Sequence, residues 1–119
     1  LVSGNVVIHQ FVRIGRYCIL SGSSRFGMDV PPYLIGDGTN TVTGLNTVGL
    51  RRSPEFTDDD RQQIRAAFKV LYRSGHELPG ALARLKAEFP SAAVGKWIEF
   101  LANPSSRGFC RYKATRRQA

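Results

Sequence analysis

The stretch VIHQFVRIGRYCILSG, residues 7–22, decides the fold, because its bulky apolar residues recur every six positions. A half-buried strand alternates every two residues and an amphipathic helix repeats every 3.6, so neither produces this spacing. The same spacing continues on both sides of the quoted stretch. The full series is Val2, Ile8, Ile14, Leu20 and Phe26. A repeat architecture is therefore indicated.

A second series runs in phase with the first, four positions after each of its members. Its residues are all small or β-branched: Val6, Val12, Cys18, Ser24 and Val30. Two such columns are typical of a parallel β-helix, a triangular prism in which each wall takes one hexapeptide. We expect the first series to stack inside one wall, and the residue after each member to lie at a corner. The alternative, an antiparallel meander, predicts turn signals every 8–12 residues, which the sequence lacks.

The rest of the chain divides into two zones. Residues 31–56 are rich in Pro, Gly, Asn and Thr, which predicts loop with short extended pieces. Residues 57–103 show helical periodicity and predict three amphipathic helices, the first of which begins with a capping box of Thr57 and Asp60. The predicted apolar faces comprise Ile64, Ala67, Phe68, Leu71, Tyr72, Leu82, Leu85, Phe89, Val94, Trp97, Ile98 and Leu101. We expect two domains, residues 1–54 and 55–119.

The formal net charge of +8 and the pI near 10.2 predict anionic partners. Much of this charge lies in a C-terminal basic tail that contains Arg107, Arg111, Lys113, Arg116 and Arg117. A nucleic-acid-binding helix is disfavoured, because the first predicted helix opens with three consecutive aspartates, residues 58–60.

No apolar run approaches the ~20 residues that cross a bilayer. The two cysteines, Cys18 and Cys110, lie far apart without metal-binding spacing, and the sequence shows no signal peptide. We therefore expect a cytoplasmic protein with reduced thiols and without a metal or prosthetic group.

The motifs IHQF, DVPPY, GLN, GLRR and YRSG occur here in an order and spacing that carry a resemblance. The chain, from residue 1 to about residue 109, resembles the C-terminal part of bacterial UDP-N-acetylglucosamine O-acyltransferases of the lipid A pathway. The resemblance implies the terminal coils of a left-handed parallel β-helix followed by a small C-terminal α-helical domain, assembled as a homotrimer. It also implies transfer of a (3-hydroxy)acyl group from acyl carrier protein to the 3-hydroxyl of UDP-N-acetylglucosamine, with a histidine as general base.

The resemblance also implies site residues. His9 and Gln10 match residues that line the substrate groove between subunits, and Gly22 matches the position that limits the acyl-chain slot. Asn46 and Arg52 match residues that contact the UDP moiety, for which amide and guanidinium groups are suited. The family's general-base histidine lies about two coils before IHQF, outside this sequence, so we expect the chain alone to lack the catalytic base.

Two positions depart from the family pattern. Val48 stands where the family usually has a carboxylate, and Ser53 where it has a third basic residue. Two alternatives therefore stay open. One is a hexapeptide acyltransferase that acts on a different nucleotide sugar, and the other is a non-catalytic trimeric binding or assembly module.

Overall fold

The computed structural model describes residues 1–114, which form two compact units. The β unit comprises Leu1–Asn46 together with the segment from Ser105 onward, and the helical unit comprises Thr47–Pro104. These bounds differ from the predicted domains 1–54 and 55–119, because residues 47–54 group with the helices and the segment after residue 104 pairs with a strand of the β unit. Arg116 and Arg117 of the basic tail lie outside the described residues. Within residues 1–114, no helix is long and apolar enough to cross a membrane.

Among the described residues, six short strands build the β unit. They are β1 (Val7–Ile8), β2 (Ile19–Leu20), β3 (Arg25–Phe26), β4 (Leu34–Gly36), β5 (Thr41–Leu45) and β6 (Arg111–Tyr112). Strand β1 pairs with β3, and a second sheet has the order β2, β4, β5, β6. All of these pairs are parallel except β4 with β5, which are antiparallel.

The register of the parallel pairs reveals a three-sided coil. Val2 pairs with Leu20 and Ile8 with Phe26, in each case 18 residues apart. Three hexapeptides make 18 residues, so one circuit of the chain places each residue on its equivalent in the previous coil. The following coil is two residues shorter, since Ile14 pairs with Val30. The predicted parallel β-helix is therefore present in residues 1–36.

The expectation that the first apolar series stacks along one wall is wrong. Val2 and Leu20 share one wall, Ile8 and Phe26 share the next, and Ile14 lies on the third opposite Val30. Each wall holds one hexapeptide, so consecutive members of a six-residue series must fall on successive walls. Burial differs between the coils instead. Leu20 and Phe26 of the second coil are fully buried, whereas Val2 and Ile8 of the first coil are 56% and 40% exposed.

Left-handed backbone conformations mark the corners of the prism. They recur every six residues, with φ of +60°, +68°, +59° and +63° at Asn5, Phe11, Tyr17 and Ser23. The corners thus fall two residues later than predicted. His9 belongs to a wall rather than to a corner, because its N–H donates to the carbonyl of Phe26 in the next coil at 2.9 Å. The turn follows immediately and is closed by a bond from the Val12 N–H to the His9 carbonyl at 3.3 Å.

Two glycines allow close approach between coils. A Cβ on Gly15 would lie 2.3 Å from the backbone nitrogen of Pro32, and a Cβ on Gly36 would lie 2.7 Å from the ring of Phe26. Real Cβ atoms do not approach other atoms so closely, and only glycine fits at these two positions. The prism therefore depends on these glycines for its packing rather than for a left-handed backbone.

The helical unit contains α1 (Thr47–Arg52), α2 (Asp58–Tyr72), α3 (Leu78–Glu88) and α4 (Ala92–Ala102). The capping box predicted for α2 is confirmed, since the Asp60 N–H donates to Thr57 Oγ1 and the Thr57 N–H donates to Asp60 Oδ2, both at 3.0 Å. Asp60 also links two helix starts, because it accepts a bond of 2.7 Å from the hydroxyl of Ser91, the N-cap of α4. Such caps contribute about 1 kcal/mol each.

The predicted helices α2, α3 and α4 are confirmed, and their buried faces agree in most positions. The buried residues are Ile64, Ala67, Phe68, Val70, Ala81, Leu85, Ala93, Val94, Trp97 and Leu101. Helix α1 was not predicted. Its six residues are too few to show a helical period, and they include a glycine and begin in a zone rich in Gly and Thr. Its single buried residue, Leu50, provides the packing that such a short helix needs.

Candidate functional site

His9 and Gln10 lie beside one corner of the β unit. His9 directly follows strand β1, and Gln10 and Phe11 form the turn that comes next. Both polar side chains are exposed. Within residues 1–114 neither side chain forms a hydrogen bond, so an amide and an imidazole are presented together on this surface. Phe11, 77% exposed, stands next to them.

Gly22 lies at a second corner, beside the first coil. A Cβ at this position would lie 3.5 Å from the Gly4 carbonyl oxygen and 3.9 Å from the Ser3 Cβ, which are ordinary contact distances. The backbone of Gly22 is exposed. A long apolar chain could therefore lie against this backbone, and a side chain would occupy part of that space.

Asn46 lies at the third corner, where it is only 5% exposed. Its Nδ2 donates to the carbonyl of Tyr17 at 2.8 Å, and its backbone N–H donates to the carbonyl of Tyr33 at 2.7 Å. Tyr17 and Tyr33 have φ of +59° and +71°, one coil apart. Asn46 thus bonds to two consecutive left-handed corners, to one through its side-chain amide and to the other through its backbone N–H, a structural role that its sequence position did not reveal.

Arg52 ends helix α1, and the preceding Arg51 is also in its last turn. Both guanidinium groups are exposed. Neither forms an ion pair with another residue in the part of the chain that the structure describes. A cation near a helix C-terminus interacts favourably with the helix dipole, and an unpaired arginine retains its donors for a phosphate. Val48, in the same helix, is 44% exposed.

The predicted residues of the β unit are distributed over its three corners rather than gathered in one cavity. His9 and Gln10 share one corner, Gly22 lies at the corner of Ser23, and Asn46 holds the corner of Tyr17 and Tyr33. Corners of one prism point in different directions. One copy of the chain therefore brings together only the first pair.

A shallow depression of about 410 Å³ lies elsewhere on the β unit. Its lining consists of Asp37, Gly38, Thr39, Thr41, Thr43, Lys113 and Ala114. None of the predicted site residues contributes to it. Among residues 1–114, no group of three metal-binding side chains occurs that could hold an ion.

The two thiols of the β unit are buried and free. Burial raises the pKa of Cys18 to about 11. Burial also raises the pKa of Cys110, assisted by the negative charge of Asp29, to about 12. Because the thiolate is the reactive form, neither group is suited to nucleophilic chemistry at neutral pH.

Comparison with known proteins identifies related chains. The sequence profile of a family described as UDP-N-acetylglucosamine O-acyltransferase, domain 2, matches residues 29–110. The acyl-(acyl-carrier-protein)–UDP-N-acetylglucosamine O-acyltransferase of Myxococcus xanthus is 37% identical over 113 residues, which are 93% of this chain and 43% of that protein. A relative of the same description from Burkholderia orbicola is also 37% identical, over 117 residues. The chain thus spans less than half the length of these curated relatives.

Solved structures show the same similarity in three dimensions. The UDP-N-acetylglucosamine acyltransferase of Bacteroides fragilis superposes with a TM-score of 0.83 at 37% identity, covering 92% of this chain and 43% of that one. The Francisella novicida enzyme gives a TM-score of 0.83 at 30% identity and covers 99% of this chain. These proteins contain a left-handed parallel β-helix of hexapeptide repeats. The predicted fold class, the end of such a β-helix followed by α-helices, is confirmed.

Proposed function

Because the chain belongs to the UDP-N-acetylglucosamine O-acyltransferase family, we propose that it is the C-terminal portion of an acyltransferase of the lipid A pathway. The reaction would move a (3-hydroxy)acyl group from acyl carrier protein to the 3-hydroxyl of UDP-N-acetylglucosamine. The relatives that carry this name support the proposal. We propose that none of the described residues acts as the general base and that no metal or prosthetic group takes part.

The observation that carries this proposal is the distribution of the predicted residues over three corners of one prism. His9 with Gln10, Gly22 and Asn46 cannot meet within one copy of the chain. Copies related by a threefold axis would place a corner of one prism against a different corner of its neighbour. We therefore propose a homotrimer whose sites lie between neighbouring β units.

Each residue has a role that fits its surroundings. The exposed His9 ring and Gln10 amide would bind the sugar or the thioester-bearing arm through hydrogen bonds. Arg52 would bind the diphosphate, and the open backbone at Gly22 would accept the end of the acyl chain. Asn46 would contribute to nucleotide binding while its Nδ2 donates to the Tyr17 carbonyl.

The chemistry is acyl transfer. The base removes the proton of the 3-hydroxyl, the oxygen attacks the thioester carbonyl, and the thiol of the carrier leaves with a proton. The carrier is an acidic protein, so the exposed basic residues at the end of the described chain, Arg107, Arg111 and Lys113, would favour its encounter. A cytoplasmic location follows from these substrates.

A chimera provides the test. The C-terminal portion of the Myxococcus xanthus relative is replaced by this chain over the 113 matched residues, and transfer from 3-hydroxyacyl-(acyl carrier protein) to UDP-N-acetylglucosamine is measured. We expect an active trimer whose KM for the sugar nucleotide rises about tenfold or more with Arg52→Ala. Arg65→Ala, an exposed arginine of α2, is the matched control. An inactive but trimeric chimera would instead favour a binding or assembly module.

The exposed Val48 gives one specific reason to compare nucleotide sugars. An apolar side chain at this position cannot accept the hydrogen bond that a carboxylate accepts from a ribose hydroxyl. The ribose is the same in both nucleotide sugars, so the acceptor group is tested separately, by assay of the same chimera with the 3-amino analogue of UDP-N-acetylglucosamine. A kcat/KM at least tenfold higher for the amine would assign the chain to a related enzyme with a different acceptor.

A further inference from the structure

A periodic ladder of hydrogen bonds ties the coils of the β unit together. The donors are backbone N–H groups six residues apart, each of which directly follows a member of the apolar series. Their bonds run from Ser3 to Leu20 (3.1 Å), His9 to Phe26 (2.9 Å), Gly15 to Val30 (2.7 Å) and Ser21 to Gly36 (2.9 Å). The acceptor in each of these bonds is a backbone carbonyl of the next coil.

The next donor in this series, Gly27, has a different kind of acceptor. Its N–H donates to the side-chain oxygen Oδ1 of Asn40 at 2.6 Å. Asn40 is held in a left-handed conformation, φ +54°, by its own N–H to the Arg25 carbonyl at 2.9 Å and by the Arg111 N–H to its carbonyl at 3.1 Å. A side-chain amide thus takes the place of the backbone carbonyl that a further regular coil would provide.

Gly27 also lies directly beneath His9. A Cβ built on Gly27 would be 3.6 Å from Cδ2 of the His9 ring and 3.7 Å from Oδ1 of Asn40. Ile8 pairs with Phe26 and the Gly27 N–H bonds to Asn40, so the ring, the glycine and the amide belong to successive layers beside one corner. Because Gly27 has no side chain, the His9 ring lies next to the Gly27 backbone, whose N–H is anchored by the Asn40 bond.

We propose that Asn40 is a positioning residue for His9: its amide oxygen closes the ladder at Gly27 and so fixes the surface that supports the imidazole. Without this acceptor, the Gly27 N–H turns toward water and the strand end beneath His9 gains freedom. His9 then samples more ring orientations. A role of Asn40 in substrate binding rests on the proposed function of His9, whereas its effect on the His9 ring does not.

The chain contains only two histidines, which makes the ring directly observable. The Cε1–Hε1 signals of His9 and His76 are recorded by NMR in the 119-residue chain. His76, in the helical unit and bonded to Arg84 at 2.8 Å, is the internal reference. Asn40→Gly removes the amide without backbone strain, because glycine adopts a positive φ freely. Asn40→Asp retains an acceptor oxygen at the same reach.

The matched control is Asn5→Gly. Asn5 is another asparagine at a left-handed corner, φ +60°, and is exposed. We expect Asn40→Gly to move or broaden the His9 signal and to leave His76 unchanged. Asn40→Asp should keep the His9 signal as sharp as in the parent, and Asn5→Gly should not reproduce the change. An unmoved His9 signal in Asn40→Gly, or an equal change in Asn5→Gly, overturns the proposal.

If Asn40→Gly does not fold, Gly27→Ala tests the same layers. The added methyl group meets only ordinary contacts, so the fold is retained, and its position 3.6 Å from Cδ2 of the His9 ring should move the His9 signal. An unchanged signal again overturns the proposal. Titration of the chimera with UDP-N-acetylglucosamine adds a separate readout, for which we expect roughly fivefold weaker binding in Asn40→Gly and recovery in Asn40→Asp. If the parent chimera does not bind this ligand, the proposed function fails, and the ring signals alone decide the role of Asn40.

Discussion

The hydroxyl of Ser105 donates to Oδ2 of Asp29 at 2.6 Å, although 76 residues separate the two in sequence. Asp29 is 1% exposed, and its carboxylate also accepts bonds from the backbone N–H of Arg13 at 2.8 Å and from Arg13 Nε at 2.9 Å. The Asp29 backbone pairs with the same returning segment, through its N–H to Gly108 and its carbonyl to Cys110. One buried carboxylate therefore joins the first coil, the second coil and the C-terminal segment of the β unit.

Substitutions of this pair should lower the free energy of unfolding. We expect Ser105→Ala to cost about 1 kcal/mol, the value of one hydrogen bond, and Asp29→Ala to cost about 3 kcal/mol, because it leaves Arg13 without its anion. Urea denaturation followed by circular dichroism measures both. Ser106→Ala, an exposed neighbour, is the control and should be neutral within 0.5 kcal/mol. Equal effects of Ser105→Ala and Ser106→Ala would contradict the role of the buried bond.

Acid should weaken the connection that the Asp29 carboxylate makes between the two coils and the C-terminal segment. Burial raises the pKa of Asp29, but the bonds from the Arg13 N–H, the Ser105 hydroxyl and the Arg13 guanidinium outweigh burial and hold this pKa below its ordinary value of 3.8. The unfolded chain therefore binds the proton more tightly than the folded chain. The stability that Asp29 contributes is complete above about pH 4 and is lost as the pH falls below that value.

The urea midpoint of the parent chain should thus fall between pH 5 and pH 2.5, and that of Asp29→Asn should fall less over the same range. Asp60 contributes in the same direction to both proteins, since bonds from the Thr57 N–H and the Ser91 hydroxyl lower its pKa. Identical acid profiles of the two proteins would show that Asp29 is not the group responsible.

Two glycines should respond differently to the same substitution. Gly15→Ala places a Cβ 2.3 Å from the Pro32 nitrogen and should destabilise the chain by at least 2 kcal/mol, roughly the cost of an overpacked core. Gly22→Ala meets only ordinary contacts and should leave stability within about 0.5 kcal/mol. In the chimera, the proposed acyl slot then predicts that Gly22→Ala shifts preference toward shorter acyl chains. Thermal denaturation and assays with carriers of graded chain length measure the two effects.

The cysteines should be unreactive in the native chain. With pKa values of about 11 and about 12, Cys18 and Cys110 hold only a small thiolate fraction at pH 7.5, and both side chains are buried. We expect negligible reaction with a disulfide reagent over an hour in buffer, and two thiols per chain in 6 M guanidinium chloride. Rapid labelling of a native thiol would indicate that the β unit opens locally.

Much of the architecture could be predicted from sequence because its signals are local. The six-residue series predicts coils, and the 3.6-residue series and capping box predict helices α2 to α4, since each pattern records which side chains face an interior. The position of the corners could not be predicted in the same way. Phe11 and Tyr17 are bulky residues that seldom adopt a positive φ, so their type gave no signal for the turns that they occupy.

The candidate site shows the same division. His9, Gln10, Gly22, Asn46 and Arg52 were predicted from a resemblance, and their contacts with substrate stay predictions. Asn40 was not predicted at all, although an asparagine two residues after Gly38 is a recognisable signal for a left-handed turn. Its importance depends on Gly27 and His9, which neighbour it only after the chain has completed its coils.

By itself, the sequence determined that the chain winds in hexapeptides and then forms three amphipathic helices, because burial of apolar side chains imposes its period directly on residue order. Tertiary structure alone decided which wall each residue occupies, that Asp29 meets Ser105, that Asn46 bonds to Tyr17, and that Asn40 ends the ladder below His9. Hydrogen bonds of this kind join groups from distant parts of the chain. Their partners are selected by proximity in the folded state, and no periodic pattern in sequence records that proximity.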